Sequence, residues 1–181
     1  MDKDIFNNLM DKVRSADKEA FRKIYEEYGN KIQVVAFCIV KDHHIAEDIL
    51  AEVMLKLWKG KFGQVENPTA FIYEIAKNLS LDYLRKNAEF RKILCFDDIA
   101  ESEIALTVES IQSIIDVAVI LDKLNDIERD IVLKRVIFKD TYQEVAKDLG
   151  ISEHIAKRKY KKVINMLKNS FLVETDKGEA V

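Results

Sequence analysis

At 181 residues the chain suits one domain or two small ones, and with 48% hydrophobic residues it can form a core. Five glycines and one proline, in a composition led by Ala, Leu, Ile, Lys and Glu, point to an all-α protein. The formal charge of −3 does not announce a nucleic-acid binder, so any such role rests on local patches. The longest apolar run, Ile32 to Val40, is far short of the roughly 20 residues that span a bilayer.

The opening MDKDIFNNLM is acidic and lacks an apolar signal core, so no membrane insertion is expected. Ile5 to Ser15 reads as a short amphipathic helix. Asp17 begins a second helix with Ala20, Phe21, Ile24 and Tyr28 on one face. Gly29 is expected to break or bend it, and Lys31 to Val40 reads as a buried helix. His43 and His44 fall in an expected turn, KDHH, with no third ligand near, so no metal is assigned. Cys38 and Cys95 lie in apolar surroundings without CxxC spacing or a His cluster. They read as buried reduced thiols of a cytoplasmic protein.

Ile45 to Lys59 (IAEDILAEVMLKLWK) is strongly amphipathic, with Ile45, Ile49, Leu50, Val53, Leu57 and Trp58 as the buried stripe. Glu47, Asp48, Ala51, Glu52, Leu55, Lys56 and Lys59 fall elsewhere. Asp48 and Glu52, one turn apart, are a carboxylate pair. With no nucleophile, ligand set or phosphate loop nearby they do not suggest catalysis, and no cofactor is expected. A partner-binding surface and a plain solvated face both remain open for these residues.

Gly60 to Pro68 (GKFGQVENP) is the one clear loop, with Lys61 and Phe62 expected to be exposed. Thr69 to Lys86 is a helix. Its apolar side carries Phe71, Ile72, Ile75, Ala76, Leu79, Tyr83 and Leu84, and its polar side Tyr73, Lys77, Asn78, Asp82, Arg85 and Lys86. Asn78, Arg85 and aromatic neighbours suit hydrogen bonding and stacking on unstacked bases, although the pattern alone is that of any amphipathic helix. Asp97, Asp98, Glu101, Glu103 and Glu109 then make an acidic stretch without Lys or Arg, read as a linker.

From Thr141 the sequence reads as helix, turn, helix. Thr141 and Glu144 have capping-box spacing, Gly150 suits a left-handed stop, and Ser152 is an N-cap with Glu153 favoured by the helix dipole. Val145, Ala146 and Leu149 would face Ile151, Ala156, Tyr160 and Val163. Lys157, Arg158, Lys159, Lys161, Lys162 and Lys168 give the second helix a broad basic face with no acidic residue. Such a face can neutralise phosphates while its first turns reach base edges.

The order and spacing of FRKIYEEYGNKI, of IAEDILAEVMLKLWK with PTAFIYEIAKNLSLDYLRK, and of the segment from Leu124 to Leu167 resemble bacterial sigma factors of the extracytoplasmic-function (ECF) sigma-70 family. The match covers Ala20 to Arg91 and Leu121 to Leu167. The resemblance implies an all-α fold: a four-helix N-terminal domain (1–92), an acidic linker (93–115) and a helix-turn-helix domain (116–173); the residues from Glu174 on (174–181) read as a disordered tail. It implies a subunit that directs RNA polymerase core to promoters and assists melting. Asp48, Glu52, Leu55 and Lys56 would dock on the polymerase clamp. Lys61, Phe62, Asn67, Asn78, Asp82 and Arg85 would read the −10 element, where a base is flipped from the melted strand. Ser152, His154, Lys157, Arg158, Lys161 and Lys162 would read the −35 element, in a domain that also rests on the polymerase flap. An anti-sigma factor is a further partner the family implies.

The chain departs from the family after the turn. Where Gly-Thr-Val-Lys-Ser-Arg is common it has His154 to Lys159, losing a hydroxyl at Ile155 and gaining a cation at Arg158. The usual Gly-Leu-Ser lead-in is Phe138-Lys139-Asp140-Thr141. A stand-alone helix-turn-helix regulator, binding an operator as a dimer, and a purely protein-binding adaptor are the alternative classes that this pattern leaves open.

Overall fold

The computed structural model describes residues 1–87, 121 and 123–175. Every regular element among them is helical. The chain forms two compact units, 1–118 and 119–181.

Among the described residues, each helix of the first unit starts at a side chain that serves its orphan N–H groups. Asp2, Asp17, Asp42 and Asn67 cap α1 (Lys3–Arg14), α2 (Lys18–Val40), α3 (His43–Lys59) and α4 (Pro68–Lys86). The capped helices bury one face each. Phe6, Met10 and Val13 of α1 meet a core of Ile24, Tyr28, Ile32, Val35, Val53, Leu57, Ile72 and Ala76. Phe6 meets Tyr28 edge-on at 6.0 Å, and Phe21 meets Trp58 edge-on at 5.1 Å. α2 is the central element, packed on α1, α3 and α4.

Three features of the first unit differ from the expectation set by sequence. Gly29 does not break the chain: α2 runs unbroken past it from Lys18 to Val40. A glycine inside a helix costs about 1 kcal/mol, and the burial of Tyr28 and Ile32 beside it outweighs that. His43 and His44 are not in a turn but open α3, because Asp42 caps the helix two residues earlier than the apolar stripe suggests. His43 stacks on Phe37 at 4.0 Å, and burial lowers its pKa. Tyr73 belongs to the core rather than the polar side of α4.

The second unit contains α5 (Asp126–Leu133), α6 (Tyr142–Leu149) and α7 (Glu153–Thr175). α5 widens into a π turn over Lys134–Phe138, closed by Lys139 in the left-handed region. Ile131, Val145, Ala146 and Ala156 form the core, with Tyr142, Leu149, Ile151 and Tyr160 packed around it. Lys134 is fully buried and pairs with Asp148 at 3.1 Å.

The acidic linker and Cys95 lie outside the described residues, as do residues 176–181; α7 continues to Thr175. Cys38 is buried. Among the described residues no helix is long and apolar enough to cross a membrane, and no group of side chains could hold a metal ion.

Candidate nucleic-acid and partner surfaces

Helical spacing divides α3 cleanly. Ala46, Ile49, Leu50, Val53, Met54 and Leu57 are buried, while Asp48, Glu52, Leu55 and Lys56 share the outer side with Glu47 and Lys59. Leu55 is 49% exposed, a large apolar group ringed by charge. Lys56 reaches Glu52 at 3.8 Å, an exposed pair of little energetic weight.

Gly60 stops α3 with a φ of +57°, its N–H bonding Leu57 and Lys56 carbonyls. The loop that follows exposes Lys61 but, against the expectation from sequence, not Phe62. Phe62 is half-buried, 4.9 Å from Phe71 and under the Arg14 guanidinium at 5.8 Å. Asn67 uses its carboxamide oxygen to start α4, accepting from Ala70 N–H at 3.2 Å and the Thr69 hydroxyl at 2.8 Å.

Phe71, Asn78 and Arg85 recur every seven residues, so they line one side of α4 about 10 Å apart. The Phe62–Phe71 contact therefore anchors the loop at the head of the stripe that carries Asn78, Asp82 and Arg85. Asn78 is exposed, and Arg85 pairs with Asp82 at 2.6 Å.

In the second unit the local signals are all realised. Thr141 and Glu144 form a reciprocal capping box. Gly150 has a φ of +63°, and the Ile151 N–H bonds the Ala146 carbonyl at 3.0 Å, a Schellman-type closure. Ser152 Oγ accepts from Ile155 N–H at 3.3 Å, which starts α7. His154, Lys157, Arg158, Lys161 and Lys162 are exposed, and Ala156 and Val163 hold the helix to the core.

The cations are not equivalent. Lys157 pairs with Glu153 at 2.6 Å. Lys162 and Lys159 converge on Glu128 of α5 at 3.2 and 3.7 Å. Arg158 and Lys161 have no carboxylate within ion-pair reach among the described residues, so they are the most available to phosphate. Burial works to raise the Glu128 carboxyl, but Lys162, the Asn125 cap and Lys159 together hold it below its ordinary 4.5. The Thr141 hydroxyl and N–H lower Glu144 in the same way.

Two arrangements were not read from the sequence. Arg135 lies 4.2 Å over the Tyr142 ring and 5.7 Å from Tyr160, clamping α6 to α7. Arg14 and Asn7 of α1 bond the backbone of the 60–67 loop. The only sequence sign of the second is that Asn7 and Arg14 lie seven residues apart on α1.

Known proteins show the same division. Residues 24–90 match the model of Sigma-70 region 2, and residues 120–169 that of Sigma-70, region 4. The chain is 25% identical over 149 residues, 75% of each chain, to the ECF RNA polymerase sigma factor SigX of Bacillus subtilis (strain 168). It is 30% identical over 76 residues, 41% of each chain, to SigW of the same strain. Its fold resembles CnrH in the solved complex with the cytosolic domain of CnrY (TM-score 0.65, 18% identity, 95% of this chain and 99% of that one). It also resembles RpoE from Bartonella quintana, solved with the anti-sigma factor NepR (TM-score 0.62, 18% identity, 84% and 97%).

Proposed function

The chain belongs to the sigma-70 family of RNA polymerase sigma factors, of the ECF type, and on that premise we propose how its surfaces divide the work of promoter recognition. It directs RNA polymerase core to specific promoters. Sigma factors are generally non-enzymatic, and the chain is read as doing no bond chemistry itself. Its partners are polymerase core, promoter DNA and, by analogy with the RpoE–NepR complex, an anti-sigma factor. A cytoplasmic location follows from those partners.

The observation that carries the division is the contrast between two exposed faces. α7 presents Lys157, Arg158 and Lys161 behind a turn closed by caps at both sides, which suits phosphate and the major groove of the −35 element. α3 presents Asp48 and Glu52 beside exposed Leu55, a face that would repel DNA and suits a basic, partly apolar protein surface. Docking on the polymerase clamp is assigned to that face, with Lys56 at its edge. Lys61, Asn78, Asp82 and Arg85 are assigned to the melted −10 strand. Phe62 and Asn67 support that surface from behind and at the start of α4.

The test is retention of purified core polymerase by tagged protein. Reversing Asp48→Lys and Glu52→Lys together should cut retention by about tenfold or more, because like charges then face each other. Unchanged retention would remove the docking assignment.

A further inference from the structure

The loop from Gly60 to Asn67 has no secondary structure of its own, yet its main chain is well served, and α1 serves it. Arg14 donates through Nε to the Gly60 carbonyl at 3.3 Å and through Nη2 to the Phe62 carbonyl at 2.6 Å. Its third nitrogen, Nη1, is turned by Asp11 at 2.5 Å. Asn7 makes a two-way match with one residue: Nδ2 donates to the Val65 carbonyl and Oδ1 accepts from the Val65 N–H, both at 2.9 Å. Lys3 pairs with Glu66 at 3.0 Å.

The three contacts are ordered. Lys3, Asn7 and Arg14 fall on one side of α1 at helical spacing, and they meet residues 66, 65 and 60–62 in reverse order. The helix thus lies antiparallel along the loop and binds both of its ends. Gly60 shows how close the approach is: a Cβ there would stand 3.0 Å from Arg14 Cγ. The loop's outward side is left open, with Lys61, Gly63 and Gln64 exposed and nothing within 4 Å of a Cβ at Gly63.

We infer that α1 is a positioning clamp for the −10-reading loop, with Asn7 and Arg14 as positioning residues that set how strictly the loop discriminates bases. The inference rests on the assignment of that loop to the −10 strand. A loop whose backbone is already fixed presents Lys61 and Gln64 in one geometry and loses little freedom on binding. A released loop can adapt to several bases, so selectivity falls before binding does. Neither side chain touches DNA in this scheme; each acts through main-chain atoms of the loop.

The test uses full-length chain carrying Asn7→Ala and Arg14→Ala, singly and together, with Arg14→Lys as the conservative variant. The α1 core contacts of Phe6, Met10 and Val13 are untouched by these changes. Amide exchange of Val65 in the free protein reads the clamp directly, and Asn7→Ala should speed it by about tenfold or more while core amides of α2 stay protected. Transcription by core polymerase plus each variant, on templates differing at single −10 positions, reads selectivity. The ratio between favoured and disfavoured bases should fall by about three- to tenfold in the double variant. Arg14→Lys, which keeps one donor, should fall between.

Unchanged Val65 exchange in Asn7→Ala would overturn the clamp. Faster exchange with an unchanged base ratio would overturn its role in selectivity. Loss of polymerase retention by the double variant would make α1 a docking element instead and also overturn it. A wild-type chain that selects no −10 base overturns the loop's assignment as a reader, while Val65 exchange still decides the clamp.

Discussion

Lys139 has a φ of 60°, a conformation that strains a side chain and suits glycine. It stands in the lead-in to α6 where the family commonly has Gly-Leu-Ser, so that departure carries a physical penalty. Lys139→Gly should raise the stability of the second unit by up to about 1 kcal/mol, read by chemical denaturation. Nearby carboxylates make that unit sensitive to acid. Glu128 and Glu144 have folded pKa values below the ordinary 4.5, so the folded state holds fewer protons than the unfolded one near that pH. Their contribution is complete above 4.5 and is lost as pH falls through the lower folded values. Denaturation midpoints should therefore drop between neutral pH and below 4.5, and Glu128→Gln should flatten part of that slope. A slope unchanged by Glu128→Gln would contradict the assignment. The Thr141–Glu144 box was legible because both partners sit within one turn. The burial of Phe62 was not, because its partner Arg14 lies on another helix.

Among the elements, α2 tests the competition between propensity and burial. A Cβ added at Gly29 comes nearest to the Tyr25 ring, at 3.5 Å, an ordinary contact distance, and the backbone there is helical. Gly29→Ala should raise stability by about 0.5–1 kcal/mol, whereas a real break at this position would make it destabilising. α3 and α7 were readable because their charged and apolar residues repeat at helical spacing, and that period is a local property. What the period cannot report is who faces the charged side. Lys162 looks like a free cation in sequence, yet it donates to Glu128 34 residues away at 3.2 Å. Tyr73 falls on the polar side of α4 by helical spacing, but its ring is drawn into the core by tertiary packing. The loop's dependence on α1 was equally hidden, since its contacts span 46 to 63 residues.

At the scale of the molecule, the formal charge of −3 and the basic face of α7 are compatible because Lys157, Arg158, Lys159, Lys161 and Lys162 are clustered within two turns of one helix, so a local basic patch stands within an acidic total. Net repulsion is expected to weaken non-specific DNA binding by the free chain, with polymerase docking supplying proximity to the promoter. The two-part organisation was legible in the order of the motifs; the acidic stretch between them lies outside the described residues. The central claim is that these helical units confer promoter choice on an enzyme that lacks it. Its most direct measurement is run-off transcription from a promoter library by core polymerase with and without the purified chain. Transcripts from defined start sites sharing −10 and −35 sequences are expected only when the chain is present. The same transcripts with and without it would contradict the account.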